Sequence, residues 1–139
     1  MEFDQKNILF HHTGVITDDI ESSISFFSKL GYTTSNIYND KPQQTFVAIL
    51  NKTNSPMIEL VSPMNSNSPA QGWVTRVGAG AYHICFKIEN AKLNEAIDYF
   101  KMQKFSQLSE PTLSPAFDGA HVVFLWGKEA GLIELVGSL

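Results

Sequence analysis

The tetrapeptide Ile58-Glu59-Leu60-Val61 is repeated without change as Ile133-Glu134-Leu135-Val136, and the segment from Ile20 to Phe27 aligns without gaps to that from Leu93 to Phe100, 73 positions later. A duplication of this kind constrains the fold more than any local propensity does. Each copy must form the same supersecondary unit, and neither can bury its apolar face alone. In the first copy Ile20, Ile24, Phe27 and Leu30 fall at the spacing of a helix with one buried face; Leu93, Ile97 and Phe100 do the same in the second. Asp18 or Asp19 and Asn90 are the N-caps this pattern predicts, and Gly31 is a stop. Strand-like runs precede the helices at Ile8 to Ile16 and Ala81 to Ile88. Others follow them, at Thr45 to Leu50 and Met57 to Val61, then at Ala120 to Trp126 and Leu132 to Val136. Thr33 to Tyr38 and Phe105 to Leu108 are weaker and add one strand to each copy. Each copy therefore reads as strand, helix, three strands. The 139 residues make one α+β domain of two modules, 8–62 and 80–137. Each module is too small to be secure by itself.

The connector, 63–79, is rich in Ser, Asn, Pro and Gly but carries a helix signal of its own. Ser68 reads as an N-cap, Pro69 as a first-turn proline and Gln71 as the reciprocal partner of a capping box. A short helix from Pro69 to Val77, ending at Gly78, is predicted.

Composition removes several classes of function. The formal net charge of −4 is spread without runs, whereas a phosphate-backbone binder shows a basic surplus or stripe, so nucleic acid is not an expected partner. No stretch of about 18 apolar residues occurs, and the N-terminal sequence has no secretory pattern; neither a membrane partner nor export is expected, and the cytoplasm is the expected location. Cys85 is the single cysteine, which excludes an internal disulfide and reads as a small buried side chain.

A glutamate inside an apolar strand is costly to bury unless it is paired or bound to a cation, and here it occurs twice at the same place in the repeat. The first strand of each copy also carries a histidine at an equivalent place. His12 precedes Glu59 by 47 residues, and His83 precedes Glu134 by 51. If the modules pack with approximate two-fold symmetry, the two His/Glu pairs meet at one point. Two imidazoles and two carboxylates suit one divalent ion of Zn, Ni, Co, Mn or Fe(II), with positions left for a small-molecule substrate. Strand alternation turns His11 to the face opposite His12. His121, at the head of a strand, is a candidate to line the cavity.

With these residues in view, the chain is identified as a member of the vicinal oxygen chelate superfamily, which includes glyoxalase I, methylmalonyl-CoA epimerase and extradiol dioxygenases. The likeness runs from His12-Thr13-Gly14-Val15 to Gly131-Leu132-Ile133-Glu134-Leu135. It is most similar to the epimerase branch through Ile58-Glu59-Leu60-Val61-Ser62-Pro63, Ser68-Pro69, Trp73, Gly80-Ala81-Tyr82-His83-Ile84-Cys85 and Val122-Val123-Phe124-Leu125. The resemblance implies two βαβββ modules in a curved, incompletely closed eight-stranded sheet around one divalent metal. It places His12, Glu59, His83 and Glu134 on the four ligand positions, gives Glu134 a proton-transfer role, and makes a homodimer plausible. The implied activity is that of a metal-dependent isomerase or epimerase with an enolate-like intermediate. A glyoxalase I-like lyase and a non-catalytic small-molecule-binding protein of the antibiotic-resistance type are the alternatives. The sequence departs from the epimerase pattern at one place. Those enzymes carry a further Glu 16 or 17 residues before the second ligand, where this chain has Asn39-Asp40-Lys41-Pro42-Gln43-Gln44. Asp40 reads there as a solvated loop residue and Gln44 as a hydrogen-bonding group for the substrate.

Overall fold

Side-chain caps start two of the three helices in the computed structural model, which describes residues 3–139. Asp19 accepts a hydrogen bond from the backbone N–H of Ser22 and opens α1 (Ile20–Ser28). Ser68 accepts from the backbone N–H of Ala70 and opens α2 (Pro69–Val77), whose first residue is the expected proline. Gly78, at φ 71°, closes α2 in a conformation that glycine adopts without steric cost. The reciprocal half of the capping box does not form, because the Gln71 side chain donates to Thr75 one turn on. α3 (Leu93–Met102) has Lys92 at its N-cap and no side-chain cap. Asn90 is instead held in a left-handed turn, φ 62°, and donates to the Asn7 side chain at 2.6 Å. Leu30 lies beyond the end of α1 and is exposed, outside the stripe expected for it.

The strands are β1 (Ile8–Ile16), β2 (Thr33–Thr34), β3 (Tyr38–Asp40), β4 (Thr45–Asn51), β5 (Met57–Pro63), β6 (Gly80–Ile88), β7 (Ser106–Gln107), β8 (Thr112–Leu113), β9 (His121–Gly127) and β10 (Gly131–Gly137). The α+β class and the paired βαβββ order are those implied by the repeat. Ten strands replace the expected eight because the weak strand of each copy is broken into two short pieces, β2 with β3 and β7 with β8. Each piece pairs with a single neighbour, β4 or β9, so the sheet is not closed.

The chain divides into two compact units, His12–Tyr82 and the chain up to His11 joined by His83–Leu139. In the first, β1 pairs in parallel with β5, β5 with β4 antiparallel, and β4 with β2 and β3. One sheet face is covered by α1, through a core of Ile20, Ala48, Leu50 and Leu60 with Val15, Ile24, Phe27, Phe46 and Ile58 against it. In the second, β6 pairs in parallel with β10, β10 with β9 antiparallel, and β9 with β7 and β8. Here α3 covers one face through Leu93, Ala96 and Ile97 on Ile88, Val123, Leu125, Ile133 and Leu135. Each unit thus repeats one arrangement, a sheet with one helix, α1 or α3, on one face; the opposite face, free of that helix, is its helix-free face, and in the first unit α2 also meets β5. Among the described residues no helix is long and apolar enough to cross a membrane.

Candidate functional site

Period-two alternation decides what stands on each helix-free face. In the first unit Ile58 and Leu60 pack under α1, which turns Glu59 and Val61 the other way. Glu59 is paired in register with Gly14, and His12 lies two residues before that glycine on β1. Gly14 itself places no side chain between the two. His12 Nε2 lies 3.5 Å from Glu59 Oε1, and the two residues are 0% and 5% exposed.

The second unit repeats this construction. Ile133 and Leu135 pack under α3, turning Glu134 to the helix-free face. Glu134 is paired in register with Cys85, a small buried residue, and His83 lies two residues before Cys85 on β6. His83 Nε2 is 3.3 Å from Glu134 Oε1. The His83 ring also meets Phe124 edge-on, with centroids 5.4 Å apart, and Phe124 is the antiparallel neighbour of Glu134. An aromatic wall therefore fixes the imidazole plane.

Both distances, 3.5 and 3.3 Å, are longer than a direct bond, and the second falls within the separation of two ligands on one ion. A charge-assisted N–H···O contact settles at about 2.7–2.9 Å. Two ligand atoms each about 2.1 Å from one ion, at angles between square and tetrahedral, stand roughly 3.0–3.4 Å apart. The donor chemistry, imidazole Nε2 and carboxylate oxygen, is that of a transition-metal ligand set.

Other expected residues fall differently. His121 shares its face of β9 with Val123 and Leu125, which pack under α3, and its register partner is Gly137. It is therefore on the face opposite Glu134 rather than beside it. His11 meets Phe117 edge-on at 4.8 Å, and Phe117 packs on Cys85, Val122 and Val136, so His11 lies on the face of its unit opposite α3. Ile8 belongs to the α3 cluster and Val15 to the α1 cluster, so β1 contributes to both units. Gln44 sits in the β3–β4 turn at φ 55°, and its carbonyl accepts from the N–H of Met64. Asp40 is not solvated. It is 6% exposed and its Oδ1 accepts from the backbone N–H of Gln43 at 3.3 Å. The sequence signal that marks it is its place in a short strand, two residues from Tyr38 and on the same face.

Comparison with known proteins converges on one family. Residues 11–124 match the family model described as "Glyoxalase/Bleomycin resistance protein/Dioxygenase superfamily". The mitochondrial methylmalonyl-CoA epimerases of Mus musculus and Homo sapiens are each 31% identical over 129 residues, 90% of this chain and 70% and 71% of theirs. A variant of the Streptomyces coelicolor methylmalonyl-CoA epimerase, in complex with 2-nitronate-propionyl-CoA, superposes with a TM-score of 0.79 at 23% identity, covering 94% of this chain and 96% of that one. The chain belongs to the glyoxalase/bleomycin resistance protein/dioxygenase superfamily, and its homologues there are enzymes, methylmalonyl-CoA epimerases.

Proposed function

We propose that this protein is a divalent-metal-dependent epimerase acting at the carbon α to the carbonyl of a small acyl thioester, with methylmalonyl-CoA as the nearest named substrate. The observation that carries this reading is the matched construction of the two pairs, in which a buried Glu stands opposite a small residue two positions beyond a buried His in both copies. A single His/Glu pair is an ordinary ion pair; the same pair built twice on helix-free faces is the ligand set of one ion. His12, Glu59, His83 and Glu134 would hold it. When bound, such an ion supplies a Lewis acid that stabilises negative charge developing on a substrate oxygen, worth several kcal/mol.

The chain's own residues supply the rest. Inversion at an α-carbon requires a base to remove the proton from one side and an acid to return one from the other. The first role is assigned to Glu134, whose carboxylate takes the α-proton while the electron pair left on carbon delocalises into the thioester carbonyl; a solvent-derived proton delivered to the opposite face then re-forms the C–H bond, and the Glu134 proton is released to solvent. The apolar residues flanking Glu134, namely Val122, Phe124 and Val136, restrict water, which protects the intermediate from uncontrolled protonation. The relatives named as methylmalonyl-CoA epimerases support the reaction class. The test is exchange of the α-proton of methylmalonyl-CoA for deuterium in deuterated water, with metal-loaded protein. Exchange with inversion is expected; its absence with metal loaded refutes the substrate.

A further inference from the structure

A turn outside the sheet carries an aromatic ring onto the face opposite α3. Ser114 Oγ accepts from the backbone N–H groups of Ala116 and Phe117, and the Ala120 N–H donates to the Phe117 carbonyl, so the turn is held at both ends. Phe117 packs against the cluster of Cys85, Val122 and Val136 and meets His11 edge-on. These apolar residues border one side of Glu134. Cys85 is its register partner on β6, Val136 lies two residues further along β10, and Val122 is the partner of Val136 on β9. The other side is polar, since His83 stands two residues before Cys85 with its Nε2 3.3 Å from the carboxylate. Beyond the apolar side lies an open cavity of about 400 Å³, lined by His11, Lys87, Phe117, Ala120 and Val136 among others. Lys87 shares the face of Cys85, and Val136 that of Glu134, so the cavity opens on the face that carries Glu134. The Phe117 ring therefore borders both the surroundings of Glu134 and the cavity.

We propose that Phe117 is a specificity-determining residue, the wall that limits the size of the alkyl group on the reacting carbon. This rests on the epimerase reading above. A carboxylate that removes the α-proton stands about 3–3.5 Å from the α-carbon, so the substituents of that carbon fall among the neighbours of Glu134. The groups that carry oxygen take the polar side, with His83. The alkyl group carries none and takes the apolar side, against Val136 and the Phe117 ring. A methyl group is accepted there, whereas a longer chain meets the ring before it reaches the cavity.

The experiment measures kcat/KM for α-proton exchange in deuterated water by metal-loaded wild type, Phe117→Leu and Phe117→Ala, on methylmalonyl-CoA and on butylmalonyl-CoA. One methylene more or fewer in an apolar pocket changes kcat/KM by about 10- to 200-fold. Wild type is therefore expected to prefer the methyl substrate by about 10-fold or more. Phe117→Ala is expected to lower that preference by about 10-fold or more, with Phe117→Leu between the two. The leucine variant keeps an apolar side chain over Cys85 and Val136 and guards against a folding defect in the alanine variant. A wild type that turns over both substrates equally overturns the assignment without any variant, and so does a preference unchanged by both substitutions; either result leaves the epimerase reading intact. A wild type inactive on both substrates overturns the epimerase reading and this assignment with it.

Discussion

Substitution of Glu134 by Gln separates a metal ligand from a structural ion pair, because the two roles predict opposite changes. The amide keeps the volume and removes the charge of a side chain 3% exposed and 3.3 Å from His83 Nε2. If the carboxylate serves the metal, the amide avoids its desolvation cost and leaves the unliganded protein about as stable as the wild type; if it is half of a structural ion pair, breaking that pair costs about 3–5 kcal/mol. With metal, the loss is large. Removing a group that merely supports a ligand weakens metal affinity 10- to 100-fold, so loss of a ligand bearing one of two formal charges is set at about 100-fold or more. At an ion concentration about 100 times its Kd the wild type gains about 2.7 kcal/mol; the variant, then near its own Kd, gains about 0.4 kcal/mol. At about 3 °C per kcal/mol for a chain of this size, a metal-induced rise of about 8 °C shrinks to about 1 °C. Calorimetric melting of chelator-stripped protein, with and without Zn²⁺ or Mn²⁺, reads both quantities. A variant that retains the full metal-induced rise refutes the ligand role. An unliganded variant that melts several degrees below the unliganded wild type shows that the carboxylate serves the fold.

Gly137→Ala places a Cβ 2.7 Å from the carbonyl oxygen of Ile88, backbone that cannot rotate away. About 1–3 kcal/mol of destabilisation is expected by urea denaturation, and an unchanged midpoint refutes that packing. Leu125→Ala empties a fully buried position under α3; a cost of about 2–5 kcal/mol is expected in the same assay. The Asp19 carboxyl is held below the usual aspartate range by the Ser22 hydroxyl and then by the Ser22 backbone N–H. Because its folded value is lowered, its contribution is present above the unfolded value, near pH 4, and is lost as pH falls through the folded one. The difference in Tm between wild type and Asp19→Ala should therefore be present at pH 7 and vanish in strong acid; a difference that persists there shows that the cap acts without its charge.

The parts of the fold readable from sequence were those governed by short-range periodicity repeated in both copies. Both main helices, the connector helix after Ser68 and the six long strands fall where the pattern places them. What was not readable depends on parity and on partners distant in sequence. A single strand, β1, gives Ile8 to one unit and Val15 to the other, a division that no pattern along the chain marks. The polarity of His121 suggests a cavity position, whereas Val123 and Leu125, on the same face of β9, pack under α3. Asp40 looked like a loop residue because β3 is three residues long, too short to announce itself without β4 beside it. The burial of Glu134 and Glu59 needed no such context, since a glutamate flanked by Ile and Leu in a strand of each copy follows the strand's own apolar pattern.

That cost also explains why four polar groups on two strand pairs are more informative than the same groups on a surface. Replacing a buried ion pair by apolar residues of similar volume is often neutral or stabilising, so packing alone gives a chain no reason to hold two such pairs. Here both copies hold one, each opposite a small residue, Gly14 in one and Cys85 in the other. The fold carries the desolvation cost of a buried carboxylate twice, at equivalent register positions, and the energy of a bound divalent ion is of the size needed to offset it. It follows that Glu59→Gln, like Glu134→Gln, should act on metal affinity more than on the unliganded fold. The melting experiment described for Glu134 reads this directly, as a reduced metal-induced rise from a starting Tm that has not fallen.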